Sequence, residues 1–238
     1  MKAVIMAGGF GTRLKPLTNE LPKPMVLMIN KPLLEYIVLQ LKNNGFTDIA
    51  MTLGYKPEVI MDYFGNGKKF GVKIKYYIEE TPLGTAGGIK AVSDFIDDDF
   101  LVISGDAFSD VDLKDFMERH KNNDAIGSLV LREMDDVTGF GVVKADAKGK
   151  IIEFLEKPEK PVEKLVNTGI YAFKKEVLDI IPDGFYDFGR QLFPRLVGQI
   201  YGYTTKSYWN DVGTLKAYYT TNLYIVENKE KFPFMFEE

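Results

Sequence analysis

The chain has 238 residues, 45% of them hydrophobic, including 13 Tyr and 17 Phe, which is enough to bury one sizeable core. With 30 Lys and Arg against 34 Asp and Glu, the net charge is −4 and there is no long basic run, so nucleic acid is not an expected partner. The absence of cysteine excludes disulfides and thiolate metal sites, and the single His120 excludes a histidine-based zinc centre.

The first predicted element is a buried strand, Ala3-Val4-Ile5-Met6, so the N-terminus does not read as a signal peptide. It runs into Ala7-Gly8-Gly9-Phe10-Gly11-Thr12-Arg13, where three positions without Cβ let backbone N–H groups approach an anion. Arg13 ends this loop, and Lys23 follows between Pro22 and Pro24, which restrict the backbone on either side. Strand, glycine loop, arginine and a fixed lysine together suit a polyphosphate. A Walker loop is absent, and the dinucleotide fingerprint fails because its third glycine position is Leu14.

A helix is predicted next, with Asn30 as N-cap and Pro32 in its first turn; Leu33, Leu34, Ile37, Val38 and Leu41 share a face, and Gly45 stops it. A strand over 48–53, a short helix over 57–64 closed by Gly65-Asn66-Gly67, and a strand over 72–78 follow. The alternation predicts an α/β fold with a mostly parallel sheet and crossover helices. Residues 79–88, Glu79-Glu80-Thr81-Pro82-Leu83-Gly84-Thr85-Ala86-Gly87-Gly88, form a second glycine loop opening onto a helix to about Phe95. The strand over 100–103 ends in Ser104-Gly105-Asp106, a carboxylate at the edge where open α/β sheets bind ligands.

Asp110-Val111-Asp112 caps a predicted helix over 113–121, in which His120 reads as a solvated residue near the C-terminus. From Ala125 the texture changes to strands over 125–132, 140–145 and 151–154, with a hairpin turn at 147–150. This portion is predicted to be antiparallel or mixed and to build the acceptor side of a cleft. A strand over 200–206, Trp209 as a core or lid residue, and a helix over 214–227 precede a tail, 228–238, expected to pack loosely.

The opening resembles the sugar-1-phosphate nucleotidylyltransferases, whose Gly-x-Gly-Thr-Arg-Leu-x-Pro-Leu-Thr and Pro-Lys-Pro-Met are matched without a gap by Gly9 to Thr18 and Pro22 to Met25. Further matches, in family order, are Gly105-Asp106, Gly139-Phe140-Gly141, Glu156-Lys157-Pro158, Asn167-Thr168-Gly169 and Trp209-Asn210-Asp211-Val212-Gly213-Thr214. The departure is Ala107-Phe108, where the family commonly has Val or Leu.

The resemblance implies a three-layer Rossmann-like, mixed and mostly parallel sheet with a small antiparallel sugar-binding portion. It implies one catalytic domain over 1–238, without the C-terminal hexapeptide-repeat domain many relatives carry. On it, Arg13 and Lys23 would be catalytic, steadying the pyrophosphate and the α-phosphate. Ala7, Gly8, Gly9, Gly11, Thr12, Glu79, Gly84 and Thr85 would bind the nucleotide, with Glu79 or Glu80 accepting from guanine N–H groups. Gly141, Glu156, Lys157, Asn167 and Thr168 would bind the sugar phosphate, and Asp106 and Asp211 would hold Mg²⁺. GTP with mannose 1-phosphate is the expected substrate pair, against glucose 1-phosphate with UTP or dTTP, heptose 1-phosphate with GTP, or a non-catalytic nucleotide-sugar sensor. The protein is expected to be cytoplasmic, with no nucleic-acid or membrane partner; a homo-oligomer is left open.

Overall fold

Strand β1 (Lys2–Met6) divides the molecule into its two apolar cores. Ala3 and Ile5 enter one core and Val4 the other, the period of two required of a strand covered on both faces. The computed structural model describes residues 1–9, 11–233 and 236. A short hairpin of β2 (Leu27–Met28) and β3 (Lys31–Pro32) leads into α1 (Leu33–Asn43). Then come β4 (Asp48–Leu53), α2 (Pro57–Phe64), β5 (Lys73–Ile78), α3 (Gly84–Ala91) and β6 (Phe100–Ser104). These strands pair in parallel in the order β6-β1-β4-β5, with β5 at the edge. The N-terminal half is therefore the predicted parallel sheet with crossover helices.

The C-terminal half is mixed, antiparallel in most of its pairings and parallel in one. It contains β7 (Ala107–Ser109), α4 (Leu113–Lys121), β8 (Gly127–Glu133), β9 (Gly141–Ala145), β10 (Ile151–Glu156) and β11 (Leu165–Phe173). After α5 (Val177–Ile180) and α6 (Phe193–Leu196) come β12 (Ile200–Thr205), β13 (Trp209–Asp211) and α7 (Leu215–Glu227). Strands β9, β10 and β11 pair antiparallel and β8 runs antiparallel to β11, but β12 runs parallel to β8. Strand β11 joins the halves: its Ile170–Phe173 segment pairs with β6, while Leu165 and Val166 pair with β9, and β8 runs along it as well. Between Asn167 and Tyr171 the β11–β8 register shifts, a bulge at the centre of the sheet. Helices α1, α2 and α4 cover one face and α3 and α6 the other, giving three layers. Strands β7 and β13 form a separate antiparallel pair in which Asp211 lies opposite Ala107.

Four local expectations are corrected. Asn30 does not cap α1; it sits with Ile29 in the turn of the β2–β3 hairpin, and Pro32 in extended conformation precedes the helix without a side-chain cap. Helix α3 ends at Ala91 rather than near Phe95, because the backbone tightens into successive turns, Val92 N–H to Ile89 and Ser93 N–H to Lys90. His120 is fully buried: its Nδ1 lies 2.9 Å from Ser128 Oγ, and Nε2 has no hydrogen-bond partner. The tail is anchored through Phe232, which is buried with edge-on ring contacts to Phe108 and Tyr224. Residues 234, 235, 237 and 238 of that predicted tail lie outside the described residues. Among the described residues no helix is long and apolar enough to cross a membrane.

Candidate active site

Two lobes of one cleft meet at the C-terminal edge of β6. The first, about 340 Å³, lies over β1 and the start of α3; the second, about 270 Å³, lies over β9 and the bulge of β11. Ser104 and Asp106 line both. A carboxylate therefore stands at the junction, where sheet topology places ligands in open α/β folds.

Lys23 is nearly sealed at this junction, in a single 3₁₀ turn begun by Pro22. Its Nζ donates to Asp106 Oδ2 and Asp211 Oδ1, each at 2.7 Å. Gly11 makes the burial feasible: its φ is +64°, and a Cβ there would lie 2.6 Å from Lys23 Cβ. Burial alone would push the Lys23 ammonium down, but attraction from Asp106 and Asp211, with hydrogen bonds to both, carries it above the ordinary lysine value. Burial would likewise raise Asp106; the Lys23 charge and the hydrogen bonds from Lys23 and Ser104 hold it below the usual carboxylate range. Asp211 reaches this cluster through the β7–β13 pairing.

In the first lobe, Ala7, Gly8 and Gly9 form one wall, and the Ala7 N–H is already donated to Thr52 O. Glu79, Gly84 and Thr85 form the opposite wall. Glu79 accepts from the Leu83 N–H, and burial raises its pKa above the ordinary carboxylate value. Gly84 has φ +71°, and a Cβ there would stand 2.7 Å from the Tyr186 carbonyl, so the glycine lets α3 meet residues 184–187 of the same chain. The Thr85 hydroxyl donates to Asp187 Oδ2 at 3.0 Å and accepts from the Phe188 N–H at 2.8 Å. Gly11 and Thr12 line neither lobe; they build the turn that carries Arg13. Glu80 is exposed and lies outside the lobe.

In the second lobe, Arg13 stands at the rim with its side chain 72% exposed and Nη2 3.8 Å from Asp211 Oδ2. Lys157 is also at the rim, in a left-handed conformation with φ +49°, its Nζ 3.5 Å from Glu156 Oε1. The Glu156 carboxylate lies against Gly141 and Gly189: a Cβ at Gly189 would meet Glu156 Oε2 at 2.2 Å, and one at Gly141 would meet it at 2.8 Å. Asn167 donates to the Tyr171 hydroxyl at 3.0 Å. Thr168 is buried, its hydroxyl donated to Val130 O and its carbonyl accepting from Trp209 Nε1. Trp209 is thus a core residue that fixes the bulge.

Asp187, Phe185 and Pro82 also line the first lobe and Tyr171 the second, none of them assigned a role from sequence. Asp187 caps the π-turn at Phe188–Leu192 through its contact with the Arg190 N–H, so its signal was an N-terminal cap some 100 positions from the loop it faces.

The junction suits a hard divalent cation. Asp106 and Asp211 both present an oxygen to the Lys23 Nζ, which stands between them, so these are the two carboxylates that would hold such an ion. Among the described residues no group of three or more His, Cys, Asp or Glu is placed to hold a metal ion, so phosphate oxygens and water would complete the shell, which is how Mg²⁺ is usually held.

The family model described as nucleotidyl transferase matches residues 2–228. The chain is 38% identical over 239 residues to UTP–glucose-1-phosphate uridylyltransferase of Synechocystis sp., covering 92% of this chain and 62% of that protein. It is 38% identical over 218 residues to mannose-1-phosphate guanylyltransferase of Mycobacterium tuberculosis, covering 89% and 61%. The chain thus spans about three fifths of the length of these curated relatives. Among solved structures, HddC from Yersinia pseudotuberculosis complexed with GMP-PN superposes with a TM-score of 0.82 at 31% identity, covering 94% of this chain and 99% of that one.

Proposed function

The chain belongs to the nucleotidyl transferase family, and we propose that it transfers a nucleotidyl group from a nucleoside triphosphate to a sugar 1-phosphate, releasing pyrophosphate. The observation that carries this reading is the Lys23–Asp106–Asp211 cluster at the meeting point of two lobes, one walled by glycine backbone and one by Glu156, Lys157 and Asn167.

A phosphate oxygen of the sugar 1-phosphate attacks the α-phosphorus, a new P–O bond forms, and the bond to the β-phosphate oxygen breaks. The nucleophile is already anionic, so no general base is needed. The obstacle is the mutual repulsion of two polyanions, and cations fixed in advance reduce it. Lys23 holds the α-phosphate, Arg13 steadies the departing pyrophosphate, and Lys157 holds the incoming sugar phosphate. Mg²⁺, held by Asp106 and Asp211, would supply charge neutralisation at the phosphates.

GTP with mannose 1-phosphate is the pair we favour. Among the side chains of the first lobe, Glu79 and Asp187 are acceptors, and Lys23 is the sole cation. Guanine offers adjacent N–H donors along one edge, which two carboxylates can accept. The Mycobacterium relative named for mannose 1-phosphate and guanylyl transfer, and the GMP-PN in the Yersinia neighbour, agree with this. The equally similar Synechocystis relative is named for UTP and glucose 1-phosphate, so the test must span both. That test is pyrophosphate release over a grid of NTPs and sugar 1-phosphates, with Mg²⁺ and with chelator. Release concentrated at GTP with mannose 1-phosphate is expected. Release at a pyrimidine pair would overturn the base assignment, and silence throughout would overturn the reaction.

A further inference from the structure

Helix α7 carries its apolar residues on the wrong side for an isolated molecule. Thr221 and Ile225 are buried beneath it, yet Leu215 is 49% exposed, Tyr219 67%, Leu223 43% and Val226 50%. These four fall at positions i, i+4, i+8 and i+11, a single stripe along the outer face. Leu27 of β2, 48% exposed, widens the stripe on one side, where Asn222 Oδ1 accepts from the Ile29 N–H at 2.7 Å. On the other side the flank is polar: Lys216 near the helix start, Thr220 in the middle and Glu227 at the end. A contiguous apolar patch rimmed by polar residues marks a contact surface.

We propose that this stripe pairs two copies of the chain, with their α7 helices antiparallel about a two-fold axis. The charges on the flank select this occupant. In an antiparallel pair, each flank meets the same flank of the other helix, so Lys216 comes opposite Glu227 of the partner subunit, and symmetry repeats the pair. The same register sets Leu215 against Val226 of the partner subunit, and Tyr219 against Leu223 of the partner subunit. A parallel pair would bring Lys216 level with Lys216 of the partner subunit and forgo both attractions. The surface is thus complementary to itself in one orientation, the requirement of an isologous contact. Helix α7 follows directly on β13, and its cap, the Thr214 hydroxyl accepting from the Ala217 N–H, lies three residues beyond Asp211. Pairing would therefore hold the element that delivers Asp211 to the cleft.

Sedimentation velocity on the full chain across about 0.1–100 µM tests this. The wild type should show a reversible monomer–dimer equilibrium. Leu223→Glu, which places charge on the stripe without touching the core, should be monomeric throughout while retaining its circular dichroism spectrum. Glu227→Lys alone should raise the dimer Kd about tenfold, since two exposed pairs turn repulsive, and Lys216→Glu with Glu227→Lys should restore it to within about threefold. A wild type that is monomeric at every concentration overturns the proposal, as does a dimer indifferent to Leu223→Glu. Charge variants that have no effect, or whose effects simply add, overturn the antiparallel pairing.

Discussion

The ammonium of Lys23 lies 2.7 Å from Asp106 Oδ2, although 83 positions of sequence separate them. The lysine is nearly sealed, while the Asp106 and Asp211 side chains keep about one-third and one-quarter of their surface exposed, so the charge at the junction is desolvated mainly on the lysine side. Lys23→Met removes the positive charge from two clustered carboxylates. The expected loss of stability is roughly 1–3 kcal/mol, at the lower end for buried pairs because water still reaches Asp106 and Asp211. Turnover should fall by about 10³-fold if the lysine holds the α-phosphate. Denaturant titration and steady-state kinetics on the same variant check both.

Asp106→Asn keeps the shape of the side chain and its contact with Ser104 but removes its charge. Turnover should drop by about 10²–10³-fold while the melting temperature stays within a few degrees. A variant with near-normal activity would remove Asp106 from the proposed metal pair.

Gly84 of the first lobe and Gly189, which lies against Glu156, should fail differently. At Gly84 an added Cβ meets a backbone carbonyl at 2.7 Å in a left-handed conformation, and neither can yield cheaply. Gly84→Ala should cost about 1–3 kcal/mol of stability and raise the KM for the nucleotide. At Gly189 the clash is with the mobile end of Glu156, which can swing away. Gly189→Ala should leave stability nearly unchanged and raise the KM for the sugar phosphate alone.

Burial, aided by Lys174 and Lys121, pulls the His120 pKa down to about 4 from its usual 6.5. The unfolded chain therefore takes up this proton first as the pH falls. The stability due to neutral His120 is fully present above about pH 6.5 and is lost progressively towards pH 4, by roughly 3 kcal/mol in total. Denaturation midpoints from pH 7 to 4.5 should fall more steeply for the wild type than for His120→Gln. Equal slopes would show that His120 is not the group responsible.

The parallel half is readable because β1, β4 and β6 are largely apolar runs bounded by turn residues, the edge strand β5 alternates lysine with apolar residues at its start, and the opening motif matches without a gap. The errors share a cause. His120 sits in the charged string Arg119-His120-Lys121, which suggests solvent, yet Leu113, Phe116, Met117 and His120 recur at i, i+3, i+4 and i+7, the buried face of α4. Helix phase was the better guide than neighbouring charge. Asn30 had the chemistry of a cap, but hairpin turns use the same residue type, and only the pairing of Met28 with Lys31 decides between them. Asp187 owes its place in the first lobe to contact with Thr85 across the fold, which no local pattern encodes. The tail reads as loose from its terminal position, yet the buried Phe232 ring, with Lys231 beside Asp110 and the Tyr224 hydroxyl, ties its described part down.

Strand β11 is hydrogen-bonded at one end to the parallel half and at the other to the antiparallel strand β9. A cleft whose walls share one strand favours local adjustment over closure of two bodies about a hinge. The rim offers that adjustment, where Arg13 and Lys157 stand on long exposed side chains. The frame then works as a fixed anvil: reach is supplied by the outermost cations, and alignment by the sealed lysine at its centre.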